Sequence, residues 1–584
     1  MPPKSLEMMK AAPASKSLVI KINIVFIACF LMAYAVVFLW PSSFNQENGL
    51  LVVKCTLRNC HTKKEEEELK MKASLEAKLH EKKMVTERRP GFVDEIVRNK
   101  TVGLINMGGD DEINGWDGAG EAVVVRFERV SKKFKWKHLF PEWVDEEEDN
   151  EGPWCPEIPM PDFATYGEVD VVMAQLPCRR LKEGWTRDVR RLQIHLIAAH
   201  LAVKKGRRNS VGEKLKVVIL TSCRPMLEMF RLEDLVRQEG NWWLYELDME
   251  RLEHKLSLPV GSCKLALPLW GEDINEVYNL SKIVRTASKS PKREAYATVI
   301  HSSEAYVCGA ITLAQSLLRT GTKRDLVILL DRSISEPTRE ALAQAGWQIR
   351  EIERIRNPKA ENNTYNEYNY SKFRLWQLVD YDRIIFIDAD IVVLRNLDIL
   401  FNFPQMSAAG NDGMIFNSGI MVLEPSNRTF QHMMDQRDEV VSYNGGDQGF
   451  LNEIFVWWHR LPRRVNFLKN FWSNTSAEKS MKNQLFGSDP PELYTIHYIG
   501  LKPWNCYRDY DCNWDIGDQR VYASDIAHAT WWKLHDTMNE TLQKFCGLTP
   551  QRKVELEWDR KKAGEMGFQD EHWKWNVSDP RRNA

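Results

Sequence analysis

The chain has 584 residues and is 43% hydrophobic, enough to build roughly two to four domains with real cores. Lys and Arg total 80 against 81 Asp and Glu. That near-neutral balance, with no arginine-rich or zinc-finger pattern, argues against a nucleic-acid partner. The 11 cysteines are too dilute for a disulfide scaffold, and none of their spacings reads as a zinc ribbon. Trp is abundant at 21 residues, many of them beyond position 450, and serves either as core aromatic or as a face for sugar rings.

In chain order, residues 1–21 form a basic tail with Lys4, Lys10, Lys16 and Lys21. Residues 22–40 are apolar apart from Asn23 and close on Trp40-Pro41. This length suits a membrane-spanning signal anchor, and the preceding lysines put the N-terminus on the cytoplasmic side. A cleaved signal peptide is the competing reading, but no small-x-small site follows promptly. Residues 41–163 are expected to be stem and linker, with a charged, helix-prone stretch at 62–89 and an acidic run from Asp145 to Glu151. Glycosylation sequons at Asn99, Asn279, Asn362, Asn369, Asn427, Asn474, Asn539 and Asn576 agree with a lumenal body. Cys55/Cys60 and Cys506/Cys512 are candidate pairs in an oxidising compartment.

Periodic structure begins near residue 165. Strands at 168–173, 215–220 and 242–247, with a helix at 187–204, give a βαβ-like subdomain over 164–290. It carries no phosphate loop and no recognisable catalytic cluster. A second α/β segment, 291–547, alternates strands at 297–300, 326–330 and 347–352 with helices at 309–318, 336–345 and 371–379. Such alternation predicts a parallel sheet, and the lack of a G-x-G-x-x-G turn argues against a nicotinamide fold. Residues 548–584 form a Trp-rich tail, read either as surface packing or as a lid with sugar-stacking faces.

The apolar strand 384–387 of the second segment runs into Asp388-Ala389-Asp390. Two carboxylates at i and i+2 of extended chain project to one side. At the carboxyl end of a parallel strand they would hold a divalent cation against a diphosphate. Asp380/Asp382 and Asp509/Asp511 repeat the spacing without closing an apolar strand. Four further pieces lie in the same segment: Tyr370-Ser-Lys-Phe-Arg374, Phe416-Asn-Ser-Gly419, Gly445-Gly-Asp-Gln-Gly449 and His497-Tyr-Ile-Gly-Leu-Lys-Pro-Trp504. Singly, each is ordinary: Gly-Gly-Asp and Asn-Ser-Gly are common turns.

Together, in this order, these motifs resemble glycosyltransferase family 8, the glycogenin-like retaining enzymes. The resemblance spans about 295–545, including Tyr296-Ala-Thr-Val-Ile-His-Ser302. The apolar N-terminal run, long upstream region and Trp-rich tail look like the plant branch that adds glucuronic acid to xylan. The resemblance implies a GT-A type, Rossmann-like nucleotide-sugar-binding α/β catalytic domain with an upstream α/β subdomain and an N-terminal transmembrane helix. It further implies Mn²⁺ on Asp388, Asp390 and His497, and diphosphate contacts from Gly500 and Lys502. Thr298, Ser302 and Tyr306 would cradle uridine. Lys372, Asn417 and Ser418 would lie near the donor sugar, with Asp447 and Gln448 beneath its anomeric carbon. Arg374 is the candidate cation for a glucuronate carboxylate. The implied activity is Golgi transfer from UDP-glucuronate to xylan by a type II membrane protein. Homo- or hetero-oligomers with other wall synthases are compatible with it. Alternatives are another family 8 transfer (galacturonate to pectin, or glucose or galactose elsewhere) and a non-catalytic glycan-binding scaffold. One departure stands out: 457–466, where glycogenin presents its self-glucosylated tyrosine, contains none.

Overall fold

The computed structural model describes residues 54–56, 59–61, 89–108, 120–140, 157–178, 184–207, 214–257, 293–469, 476–508, 525–565 and 579–582. Two compact units divide the chain. In Met1–Ala73 a short antiparallel hairpin sets Lys54–Thr56 against Asn59–His61, with Cys55 opposite Cys60 in register. The expected anchor at 22–40 and all but the last residue of the charged stretch at 62–89 lie outside the described residues. Among the described residues no helix is long and apolar enough to cross a membrane.

The unit Ser74–Ala584 holds two large sheets. The upstream sheet comprises β1 (Thr101–Ile105), β2 (Glu121–Val125), β3 (Val171–Gln175), β4 (Leu215–Leu220), β5 (Leu235–Glu239) and β6 (Trp242–Leu247), in the order β2-β1-β3-β4-β6-β5. The first four are mutually parallel, and β6 pairs antiparallel with both β4 and β5. Helix Val189–Lys205 makes the crossover from β3 to β4 and starts at an Asp188 side chain that accepts from Arg191 N–H. β1 and β2 lie within 41–163, the stretch expected to be stem and linker, and make part of it a sheet. They are five residues each, too short for their alternation to stand out between glycines and acid runs.

The downstream sheet contains β7 (Glu294–Ile300), β8 (Asp325–Leu330), β9 (Gln348–Glu351) and β10 (Arg383–Ile387). The chain then makes β11 (Ile391–Val393), β12 (Ser407–Asp412), β13 (Ile415–Leu423), β14 (His459–Leu461), β15 (Phe467–Leu468) and β16 (Thr495–His497). Seven strands run in the order β9-β8-β7-β10-β13-β12-β14, and β11-β16-β15 form a small separate sheet. β10 lies parallel to β7 and antiparallel to β13, and every one of its residues is buried. A strand covered on both faces reads as an unbroken apolar run, as 384–387 does. The stretch expected to be helical at 371–379 is a 3₁₀ segment, Asn369–Gln377.

The two sheets share one core. Val172, Leu196 and Phe230 from upstream pack in a single buried cluster with Phe373, Trp376, Phe450 and Trp457. Arg231 and Arg383 both grip the buried Glu424 carboxylate at 2.9 Å. Trp457 N–H donates to Glu228 Oε1 at 2.7 Å. The boundary near 290 is therefore one of chain topology and not of packing.

Nor is 548 a boundary. Helix Pro550–Glu565 buries Leu556 against Cys506 and Tyr507, and Arg508 N–H donates to Asp579. Cys308–Cys546 staples this end to the helix after β7, and Cys178–Cys223 closes the upstream sheet; neither pairing was foreseen. Cys506 is also disulfide-bonded. Trp376, Trp457, Trp458 and Trp531 are fully buried core residues, whereas Trp558 is exposed; Trp573 and Trp575 lie outside the described residues.

Candidate active site

β7, β8 and β9 step outward to one side and β10 lies on the other, so the order reverses between β7 and β10. Open α/β sheets form their ligand crevice at such a reversal, beyond the carboxyl ends of the strands. A cavity of about 670 Å³ opens there, bounded by Ser302, Tyr306, Arg354, Lys372, Asp388 and Asp447 among others. That volume is typical of small-ligand sites.

The acidic pair sits in the turn that joins β10 to β11. Ile391 N–H donates to Asp388 O at 3.1 Å, and Asp388 N–H donates to Gly419 O at 2.8 Å. The two carboxylates thus converge through a turn, which corrects the expectation of alternation along an extended strand. Helix Val307–Arg319 presses on this turn at Gly309, where an added Cβ would lie 2.2 Å from Ala389 O. β11 pairs antiparallel with β16 so that Ile391 faces His497. This register, more than a hundred residues long in sequence, brings His497 Nε2 to 3.3 Å from Asp390 Oδ1. Ligand atoms of Asp388, Asp390 and His497 all lie within 4.8 Å of one another.

A buried amide chain decides which histidine nitrogen faces the carboxylates. Gly419 N–H, an unambiguous donor, is 2.8 Å from Asn417 Oδ1. The same oxygen therefore accepts from Asn466 Nδ2 at 2.9 Å, which leaves Asn466 Oδ1 to face His497 Nδ1 at 3.0 Å. Nδ1 therefore carries a proton, and Nε2 is the nitrogen left to offer a lone pair to a cation shared with Asp390 Oδ1. Two acceptors facing each other beside a second carboxylate are chemically matched to a divalent cation. The tautomer is held as metal sites hold theirs.

Two lysines answer the carboxylates. Lys372 Nζ lies 2.6 Å from Asp447 Oδ2 and 3.3 Å from Asp388 Oδ1, over the face of Phe386. Burial would lower its pKa, but the two carboxylates outweigh it and raise it. Lys502 Nζ pairs with Asp390 Oδ2 and donates to Tyr498 O at 2.8 Å. Burial pushes the Asp388 carboxyl up to about 6 against the pull of Lys372. At Asp390 the same desolvation is overcome chiefly by Lys502, which holds it well below the usual carboxylate range. Asp447 is bonded on both oxygens: Ser418 Oγ donates to Oδ2 at 3.1 Å and Asn369 Nδ2 to Oδ1 at 3.1 Å. Gln448 Oε1 accepts from Ser418 N–H at 3.0 Å.

The structure brings Ser302, Tyr306, Lys372, Asp388, Asp390 and Asp447 to one cavity, with His497 and Lys502 bonded behind them and Ser418 and Gln448 bonded to Asp447 or its neighbour. Gly500 takes φ +71°, the left-handed turn that lets the chain double back from β16 to Lys502. Asn417 is a buried organiser of the amide chain. Two expectations are corrected. Thr298 is fully buried within β7 and is not among the residues that line the cavity. Arg374 turns outward: it donates to Glu353 O and Gln377 Oε1 and covers Phe430, with no place among the cavity residues. Arg354 lines the cavity instead, bridging Asp331 and Ser302 Oγ at 3.2 Å each. Arg354, Asn369 and Asn466 were missed. Nothing in their local sequence separates them from loop residues, since each gains its place through a partner far along the chain.

The Glycosyl transferase family 8 model matches residues 297–410, and the GUX1-5 N-terminal domain model matches 71–263. UDP-glucuronate:xylan alpha-glucuronosyltransferase 2 of Arabidopsis thaliana is 57% identical over 98% of both chains. UDP-glucuronate:xylan alpha-glucuronosyltransferase 1 of the same plant is 49% identical over 84% of this chain and 73% of that protein. Glycogenin-1 of Homo sapiens is 28% identical over 43% of this chain and 75% of that one. The mixed sheet around the cavity is thus a glycosyltransferase fold of the GT-A type, and the chain belongs to glycosyltransferase family 8.

Proposed function

We propose that this protein transfers glucuronic acid from UDP-glucuronate, with retention, as an α-linked branch onto the xylan backbone. The observation that carries the reading is the 57% identity, over 98% of both chains, to a protein named for that transfer. The intact Asp388, Asp390 and His497 group and the buried Lys372 favour an enzyme over a glycan-binding scaffold, which has no use for them.

Mn²⁺ on Asp388, Asp390 and His497 would neutralise the charge that builds on the leaving diphosphate. Lys502 would contribute a second positive charge to the same oxygens, released from Asp390 as the donor enters. Lys372, locked between Asp388 and Asp447, would hold the donor sugar's side of the cavity dry and fixed. Asp447 accepts hydrogen bonds from Lys372, Ser418 and Asn369, and a carboxylate so engaged is a weak nucleophile. It is better suited to stabilising positive charge on the sugar ring, which favours attack by the acceptor from the leaving-group face.

The setting we propose is the Golgi membrane, with one type II span at 22–40 and a lumenal catalytic body. Lysines ahead of the apolar run, the sequons and the Cys178–Cys223 and Cys308–Cys546 disulfides support it. Association with other wall synthases is compatible with it.

The test uses the full chain in detergent with Mn²⁺ and xylohexaose. UDP-glucuronate, UDP-galacturonate, UDP-glucose, UDP-galactose and UDP-xylose are offered separately and products are weighed by mass spectrometry. One hexuronic acid gained from UDP-glucuronate alone, and lost in Asp388→Ala, is the expected result. Product from a different donor would overturn the donor assignment, and none from any donor would favour the scaffold.

A further inference from the structure

Among the described residues three tyrosines are exposed: Tyr306, Tyr365 and Tyr443, at 42%, 86% and 53%. Scattered exposed aromatics are ordinary, but two of these line one cavity and the third bonds a residue next to its Asp447. Tyr306 and Tyr365 line it, and the Tyr443 hydroxyl meets the Gln448 side-chain amide beside Asp447. Tyr306 falls in the stretch whose resemblance assigns it to uridine. The other two have no role in the donor site as built. Tyr365 makes no hydrogen bond or ring contact with any described residue, so packing does not account for it.

The loops that carry Tyr365 and Tyr443 are tied together. Asn357 Nδ2 and Asn366 Nδ2 both donate to Gly445 O, at 2.8 and 2.7 Å. Asn369 Nδ2 then donates to Asp447 Oδ1 at 3.1 Å. Ser442 Oγ accepts from Gly446 N–H at 3.0 Å, which braces the second loop. Gly445, at φ +65°, supplies the turn that turns its carbonyl to both asparagines. Tyr365 therefore stands one residue from the tie and Tyr443 two residues from it, on the rim next to Asp447. A rigid backbone presents two phenol faces to solvent, so little conformational freedom is lost when something lies on them.

We propose that Tyr365 and Tyr443 form the acceptor platform, on which successive sugar rings of a β-1,4-linked pentose chain stack while one ring hydroxyl enters the cavity. The inference rests on the transfer reading above and deepens it. A β-xylose ring carries its substituents equatorially, so both faces present axial C–H groups, and it lacks the C6 arm that would lift the ring off an aromatic plane. Flat C–H faces on electron-rich rings are the contact two exposed tyrosines can offer.

The test compares full-length wild type with Tyr365→Ala, Tyr443→Ala and the matching Phe variants. Transfer kinetics are measured with UDP-glucuronate and xylohexaose, and calorimetry measures xylohexaose binding in the presence of UDP. Each Ala variant is expected to raise the xylohexaose KM and the calorimetric Kd by about 5- to 30-fold, the loss of one large aromatic contact. The UDP-glucuronate KM is expected to stay within about twofold, and the Phe variants to restore acceptor affinity. Both acceptor constants unchanged in both Ala variants, or no xylohexaose binding by the wild type, would overturn the platform. Xylohexaose binding lost in the Ala variants, with no transfer by the wild type, would uphold the platform and overturn the donor reading.

Discussion

Replacing Asn466 isolates the amide chain that sets the His497 tautomer. In Asn466→Ala the Nδ1 proton loses its acceptor at 3.0 Å, and the imidazole is free to rotate or to place its proton on Nε2, facing Asp390. Removing an orienting partner of a metal-binding histidine weakens metal affinity by about 10- to 100-fold, or roughly 1.4–2.8 kcal/mol. The assay is the Mn²⁺ concentration for half-maximal transfer at saturating UDP-glucuronate. We expect it to rise by that factor, with kcat recovering at high Mn²⁺. Asn466→Asp separates tautomer from packing. Its carboxylate still accepts from Nδ1–H, so metal affinity is retained. It cannot donate to Asn417 Oδ1, which Gly419 N–H fixes in place, and two oxygens then face each other across a 2.9 Å contact. That unsatisfied pair should cost about 1–3 kcal/mol of stability, read from urea denaturation. A half-saturation within about twofold of wild type in Asn466→Ala would refute the tautomer argument.

Four further outcomes are expected. Lys372→Met leaves the half-buried Asp388 and Asp447 without their shared cation and should lower kcat by about 10²–10³ with Mn²⁺ saturating; a loss under tenfold would remove Lys372 from the chemistry. Gly309→Ala drives a Cβ into Ala389 O and the Trp504 ring, and should cost about 1–3 kcal/mol in denaturation while raising the Mn²⁺ half-saturation, because the displaced turn carries both aspartates. The Glu424 carboxyl is held at about 2, where the attraction of Arg231 and Arg383 outweighs burial, against an ordinary value of 4.5. A depressed pKa contributes stability that is whole above about pH 4.5 and is lost as pH falls toward 2, about 3 kcal/mol in all, so urea midpoints should fall across that window in wild type and less steeply in Glu424→Gln. Finally, Asn369 should be unglycosylated in glycopeptide mapping although it heads a sequon, since its amide donates to Asp447 inside the cavity.

What could be read from the residues, and what could not, divides along the distance between partners. β10 and the acidic pair were visible because a fully buried strand and its terminal turn are contiguous. So was the alternation that makes the catalytic sheet, although Asn369–Gln377 tightened to 3₁₀ and β1 and β2 hid among glycines and acids. Asn417 drew notice through its Asn-Ser-Gly neighbours, yet its work is done with Asn466, 49 positions away. Gly419 looked like part of a turn. It lies inside β13, where a Cβ would come within 2.6 Å of the His497 ring, so its smallness serves a residue on another sheet. Arg374 lies two residues from Lys372, but residues two apart on a tight 3₁₀ turn face different ways, and the cavity received Lys372 while Arg374 went to Glu353 and Phe430. Register explains these outcomes together: β11 against β16 determines what His497 meets, and the loops tied at Gly445 determine what Asp447 meets. A shift of either by one residue would keep every motif and lose the site, because side chains on neighbouring positions face opposite sides. The pairings of β11 with β16 and of the 357–369 loop with Gly445 are therefore as much a part of the active site as the residues that line it.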